Sequence, residues 1–185
     1  MTQPHTVWTI GHSTRSIEEL LALLEAHGIQ ELVDVRTIPR SRHNPQFNRD
    51  VLAERLGEAG MIYHHMPGLG GLRKPAKDSI NTGWRNASFR GYADYMQTEA
   101  FHLALTDLMA HGTERRTAVM CAEAVPWRCH RSLIADALLA RGWAIRHILS
   151  ASKAEHHALT PFAVIDQTRV TYPSQRNARS GLPLF

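Results

Sequence analysis

Apolar positions along this chain alternate between short continuous runs and stripes at helical spacing, a pattern that predicts strands separated by helices. Residues 7–10 form the first apolar run. After a polar turn, Ser16-Ile17-Glu18-Glu19 has the form of a capping box, with Ser16 at the cap and Glu19 at the third helical position. Ile17, Leu20, Leu21 and Leu24 then share one helical face, and Gly28 closes the helix. Residues 32–35 predict a second strand. Asn48 is placed to cap the next helix, with Phe47 and Leu52 as a hydrophobic staple and an end near Gly60. Residues 61–65 predict a third, more polar strand.

Residues 66–87 are rich in Gly, Pro, Lys and Asn and show no period, which predicts a long functional loop. Helical spacing returns over 89–96 and 101–109, the second stripe ending at Gly112. Residues 117–121 are a buried-looking run, 131–141 a helix ended by Gly142, and 143–149 a fifth strand. Residues 169–172 read as an edge strand, and 174–185 as a loosely held tail following a single domain over 1–173. With no recognisable two-residue hairpin turn, the expectation is a Rossmann-like, three-layer α/β domain: a mostly parallel five-stranded sheet with helices on both faces. Right-handed crossovers then bring every strand's C-terminal end to one edge, where ligands of open parallel sheets bind.

Composition narrows the class. At 185 residues and 43% hydrophobic content, one well-filled core fits better than two small ones. No apolar stretch is long enough to span a membrane, and Met1 to His5 has neither a cationic nor an apolar leader region, so a cytoplasmic protein without a membrane partner is expected. Two cysteines, Cys121 and Cys129, are too few for a disulfide framework, which leaves thiol chemistry or metal binding. The formal charge is only +4, yet 18 of the 21 cationic residues are Arg and there are 12 His. Arg forks suit phosphate and carboxylate, so the skew points to an anionic ligand, although codon bias yields the same composition.

The chemically capable residues gather in the five segments that leave the predicted strand ends. The strongest signal is Cys121-Ala122-Glu123 running on to Cys129-His130-Arg131, where a helix begins and its unpaired N–H groups favour an anion. Cys129, flanked by Arg128, His130 and Arg131, is expected to have a lowered pKa and to act as nucleophile or redox thiol; the alternative is an inert buried thiol. Cys121 reads as a core residue. Glu123, two residues further on, points to the same side and serves either as general base or as an ion-pair partner of Arg131 or Arg36. Asp34 and Arg36 share one face of the second strand, as a buried pair or as an anion grip. His12 and Ser13 supply an imidazole and a hydroxyl at the first strand end. Ser41, and Gly70 and Gly71 in the long loop, complete the candidate ligand-binding set. A metal is not favoured and no cofactor is expected: Cys121, Cys129 and His130, with His12 or His147, offer soft ligands but lack the close Cys-x2-Cys pairing of structural zinc sites.

These segments resemble the bacterial and archaeal family catalogued as domain of unknown function 488. The likeness rests on Cys121-Ala122-Glu123 to Cys129-His130-Arg131, Thr9-Ile10-Gly11-His12-Ser13, Asp34-Val35-Arg36 with Pro39 and Ser41, Leu69-Gly70-Gly71, His147-Ile148 and Thr171-Tyr172-Pro173. It implies a compact α/β domain whose motifs meet at one site and brings no activity with it. From the residues, the expectation is an enzyme acting on a phosphate-bearing, nucleotide-like anion, with Cys129, Glu123, His12 and Asp34 catalytic and Ser13, Arg36, Ser41, Gly70, Gly71, His130 and Arg131 binding. The alternatives are a ligand-sensing module without turnover and a nucleic-acid-associated module, the latter suggested by pI ≈ 9.4 and by Arg73, Lys74, Lys77, Arg85 and Arg90.

Overall fold

The computed structural model of the chain describes residues 4–174. Its elements are β1 (Thr6–Gly11), α1 (Ile17–Ala26), β2 (Glu31–Asp34), α2 (Arg49–Glu58), β3 (Ile62–His65), α3 (Ala87–Tyr95), α4 (Glu99–Glu114), β4 (Thr117–Cys121), α5 (Arg131–Leu139), β5 (Ala144–Ser150), β6 (Lys153–His156), β7 (Val164–Asp166) and β8 (Arg169–Thr171). Short 3-10 turns at Pro45–Phe47, Pro67–Leu69 and Pro126–Arg128 each open on a proline. The capping box forms as its residue types dictate. Ser16 accepts from the Glu19 N–H at 3.1 Å, and the Glu19 carboxylate accepts from the Ser16 N–H at 2.7 Å. Asn48 starts α2, but its side chain accepts from Ser41 N–H at 2.7 Å and not from the helix.

The main sheet runs β3-β2-β4-β1-β5-β6. The first five strands are parallel and β6 is antiparallel to β5. The sheet therefore has six strands where the sequence pattern predicts five. β6 escapes the pattern because it is mostly exposed and polar, and because Ala151 and Ser152 turn the chain back without a glycine. Nor is the last strand an edge of this sheet: β8 pairs with β7 in a separate two-stranded sheet, across a tight turn in which Gln167 takes φ 54. With β1 and β4 exchanged, the order differs from the 3-2-1-4-5-6 of dinucleotide-binding sheets.

Alternation along the strands sorts the core into two layers. Trp8, Ile10, Leu32, Ala118 and Met120 pack under Leu20 and Leu24 of α1, Leu52 and Leu56 of α2, and Phe47. On the other face, Val7, Val33, Val35, Val119 and Cys121 pack against Tyr92, Phe101, Leu105, Leu108, Leu133 and Leu138 of α3, α4 and α5. Each such side chain taken out of water contributes about 1.5–3 kcal/mol, which is what holds three layers together. α4 continues past Gly112, contrary to the predicted stop; a Cβ there would lie 2.7 Å from the Trp143 ring, so the glycine is a notch for an aromatic. Residues 66–86 are mostly irregular yet tied to α3. Tyr92 donates to Leu69 O at 2.8 Å, and the Asp94 carboxylate accepts from Ala76 N–H at 2.9 Å, Ser79 Oγ at 2.7 Å and Asn81 Nδ2 at 2.8 Å. Ser174 N–H donates to Thr82 Oγ1 at 3.3 Å, and the rest of the predicted tail lies outside the described residues.

Candidate active site

β4 ends at Cys121 directly beside Gly11, the last residue of β1. The backbone ladder runs on past both strands: His12 N–H donates to Cys121 O at 3.0 Å and Ser13 N–H to Ala122 O at 2.9 Å. A side chain at Gly11 would overlap the Glu123 carbonyl, so only glycine lets the loop after β4 lie across the end of β1. That loop folds back through the Pro126–Arg128 turn and returns Cys129 to Cys121 just before α5 begins.

Arg131 organises the two sulfurs. Its Nε–H donates to Cys121 Sγ at 3.1 Å and its backbone N–H to Cys129 Sγ at 3.5 Å. Nη1 donates to Thr9 Oγ1 at 3.1 Å, and Nη2 to the carbonyls of Glu123 and Ala124. The side chain is 1% exposed and, among the described residues, has no carboxylate partner. A buried guanidinium needs a compensating charge, and the groups around it able to supply one are the thiols. Both cysteines are free and buried, at 3% and 6% exposure. The Cys129 pKa falls to about 6, through the hydrogen bond from Cys121 and the charge and N–H of Arg131, while the partner thiol Cys121 is pushed well up. The pair thus holds one negative charge at neutral pH.

The first N–H of α5 thus goes to the Cys129 sulfur. The following N–H groups are already taken: Ser132 bonds to Cys129 O at 3.0 Å and Leu133 to His130 O at 3.0 Å. His130 lies with Nδ1 3.6 Å from Cys129 Sγ, its ring 5.0 Å from that of Tyr92, and its buried Nε2 without a hydrogen-bond partner. Burial lowers its pKa. The sulfurs form part of the lining of a cavity of about 370 Å³, together with Arg36, Thr37, Ile38, Gly71, Leu72, Ser88, Phe89, Tyr92, Glu123, Arg128 and His130. Most of that wall is apolar or aromatic. Arg128 is exposed and, among the described residues, makes no ion pair, which leaves it the available cation of the lining.

The remaining predicted residues lie close by with other commitments. Asp34 is fully buried and accepts from Arg36 Nε at 2.9 Å, Arg36 Nη2 at 2.6 Å and Tyr63 OH at 2.8 Å; Arg36 also reaches Phe47 O at 2.7 Å. Asp34 and Arg36 thus form the buried pair, with Arg36 also at the cavity wall. His12 donates from Nδ1 to Ser13 O at 2.8 Å, receives Arg36 Nη1 on Nε2 at 3.3 Å, and stacks on Phe47. Burial above all lowers its pKa to about 4, so it is neutral with both nitrogens used. Glu123 is exposed, and its carboxylate takes Val125 N–H at 3.2 Å; it is Glu123's backbone oxygen, not its side chain, that meets Arg131. Ser41 Oγ accepts from His43 and Asn44 N–H groups, stabilising the turn into Pro45. Ser13 adopts φ 51 at the crossing of the two chain ends. Gly70 and Gly71 are close-approach positions within the protein: added Cβ atoms would lie 2.5 Å from Thr37 Oγ1 and 3.1 Å from His130 Nδ1, and Gly71 also lines the cavity. Among the described residues, Cys121, Cys129 and His130 do not bring three donor atoms within 4.8 Å of one another.

Two parts of the site lie beyond the predicted set. Phe89 and Tyr92, three apart on α3, form its aromatic wall, and helical spacing alone places them on one face. Thr9 starts a buried chain: its Oγ1 is 2.7 Å from His147 Nδ1, His147 Nε2 is 3.0 Å from His157 Nδ1, and His157 Nε2 is 2.8 Å from Asp136 Oδ1. Tyr172 OH closes it on Asp136 Oδ2 at 2.8 Å.

Compared with known proteins, residues 16–138 match the family described as domain of unknown function DUF488. No curated protein and no solved structure matches the chain.

Proposed function

The chain belongs to the DUF488 family, and from that starting point we propose that it is a cysteine-dependent enzyme acting on a small anionic molecule with a planar or apolar body. The observation that carries this reading is the buried Arg131, without a carboxylate partner among the described residues, holding two sulfurs at the wall of an open cavity. The Cys129 thiolate is the nucleophile. Its sulfur bonds to the electrophilic centre as the leaving group departs with its electron pair and takes a proton from water at the mouth. Water or a second acceptor then releases the thiolate. Arg128 meets the anionic group, phosphate being the best geometric fit to a guanidinium fork, and Phe89 and Tyr92 face the planar part, as a nucleotide base would require. Glu123 at the rim is the carboxylate available for proton transfer. A mostly parallel sheet covered on both faces supports a Rossmann-like description, and free thiols suit a reducing cytoplasm.

A second reading, a sensor without turnover, is favoured by the burial of both sulfurs. A nucleic-acid role is weaker, since Arg73 of the basic loop is stacked over Tyr95 at 3.7 Å. The test compares neutral iodoacetamide with anionic iodoacetate at pH 7, with the modified residue mapped by mass. The expected result is labelling at Cys129 faster than at a free peptide thiol, with iodoacetate favoured and that preference lost in Arg128→Ala. Labelling no faster than the peptide thiol overturns the enzyme reading.

A further inference from the structure

Away from the cysteine pair, three metal-ligating side chains meet on the α4 face of the sheet. Glu31 opens β2, His64 lies in β3, and His111 is in the last turn of α4. Parallel pairing sets Glu31 opposite Ile62 and Val33 opposite His64, so Glu31 and His64 project from one face a pleat apart. His64 Nε2 and His111 Nδ1 each lie 2.9 Å from the same carboxylate oxygen, Glu31 Oε1, and Thr117 Oγ1 lies 3.2 Å from Oε2. The three donor atoms fall within 4.8 Å of one another. Thr117 opens the strand that Cys121 closes, so this cluster and the sulfurs occupy opposite ends of β4.

Three features separate the cluster from ordinary surface histidines. Glu31 is wholly buried and, among the described residues, has no Lys or Arg in ion-pair reach; a carboxylate taken out of water in that way is costly until a cation compensates it. Behind His111, Asp107 Oδ1 lies 3.9 Å from Nε2, beyond hydrogen-bond distance but within reach of a small shift of its exposed side chain; a carboxylate bonded there would hold the ring for metal binding through the other nitrogen. His64 is 44% exposed, which gives an ion a route in and leaves coordination positions open to water.

We propose that Glu31, His64 and His111 form a site for a divalent first-row cation, with Zn2+ the best match. Two imidazoles and one carboxylate, completed by water, are a donor set of open zinc centres. Ligand bonds of about 2.0–2.2 Å to a tetrahedral ion require each imidazole nitrogen to move off Glu31 Oε1 by only a few tenths of an ångström, and the partly exposed His64 is free to adjust toward the ion. The ion clasps α4 to β2 and β3 and neutralises the buried charge.

The experiment uses metal-stripped full-length protein, with Zn2+ titrated by calorimetry and Co2+ by absorption. Expected are one Zn2+ per chain, affinity reduced about tenfold in Asp107→Ala, binding lost in His64→Ala, and a Co2+ spectrum without a sulfur charge-transfer band. His64→Ala alters a partly exposed side chain, so the test does not depend on replacing buried Glu31. Absence of Zn2+ binding, binding unchanged in His64→Ala, or a sulfur charge-transfer band abolished in Cys121→Ser/Cys129→Ser overturns the proposal.

Discussion

Arg131 donates its Nε–H to the Cys121 sulfur at 3.1 Å, while the lower pKa of the pair belongs to Cys129. The guanidinium thus acts on Cys129 both through its own charge and through the thiol it holds in place. Arg131→Met removes that charge and leaves the Glu123 and Ala124 carbonyls without their donor. The expected outcome is a Cys129 titration midpoint moved up from about 6, with roughly a fivefold loss of thiolate at pH 6 for the first unit of the shift. The pH dependence of alkylation measures it, and an unchanged midpoint would remove Arg131 from the account.

The sulfur pair also shapes stability. Cys129 titrates near 6 in the fold against 9.0 for a free thiol, so its contribution is complete above pH 9 and lost as pH falls toward 6. Cys121 has the opposite sign: its raised pKa makes the folded state hold a proton that the unfolded chain releases above pH 9.0. Relative to Cys121→Ser/Cys129→Ser, the native protein's stability advantage should therefore rise from pH 6 and crest near pH 9. Urea midpoints of the two proteins across that range test this, and a flat difference would show that the pair does not share an ionised sulfur.

Buried neutral histidines set the acid limit. His12 is lowered to about 4, by burial first, and His147 to about 3, by burial and then His157. Below 6.5 the unfolded chain protonates both while the fold keeps them neutral, so stability falls as pH drops from 6.5 through 4. Unfolding at pH 5 should take up about two protons on their account, and His147→Gln should remove about one. The slope of unfolding free energy against pH reports the number.

Asp34 and Arg36 stabilise only as a pair. Asp34→Leu or Arg36→Met leaves one charge buried with no charged partner, at a cost of about 3–5 kcal/mol each. Asp34→Leu/Arg36→Met leaves neither, so the double variant should be much less destabilised than the sum of the singles. A urea-unfolding cycle decides, and additive losses would contradict the buried pair.

β1, β2, β4, β5 and both faces of the sheet were readable from apolar runs, because parallel strands covered on both sides are largely hydrophobic, while β3 at the sheet edge was read despite its polar residues. β6 and β7 were not, since they are exposed and their turns at Ala151-Ser152 and Gln167-Thr168 lack the usual glycine or Asn-Gly; β8 was read as a strand over 169–172, but without its partner β7 it could not be placed in the right sheet. The convergence of Cys121, Cys129, Arg131 and Arg36 on one strand edge was readable from topology. Which partner each buried arginine takes was not: Arg36 turns to Asp34, and Arg131 to sulfurs and carbonyls, by tertiary packing alone. The same holds for Glu31, His64 and His111, which come from three elements without any local spacing to announce them.

The buried chain that begins at Thr9 has a direction. Arg131 can only donate to the Thr9 hydroxyl, and Asp136 can only accept from His157. With one proton on each ring, every hydrogen between them points the same way, like teeth of a ratchet. A proton added at His147 must turn the Thr9 hydroxyl away and set a second cation against Arg131. Protonation of His147 therefore opposes the same Arg131 charge that the two sulfurs sit against, so the histidine chain and the sulfur pair share one guanidinium.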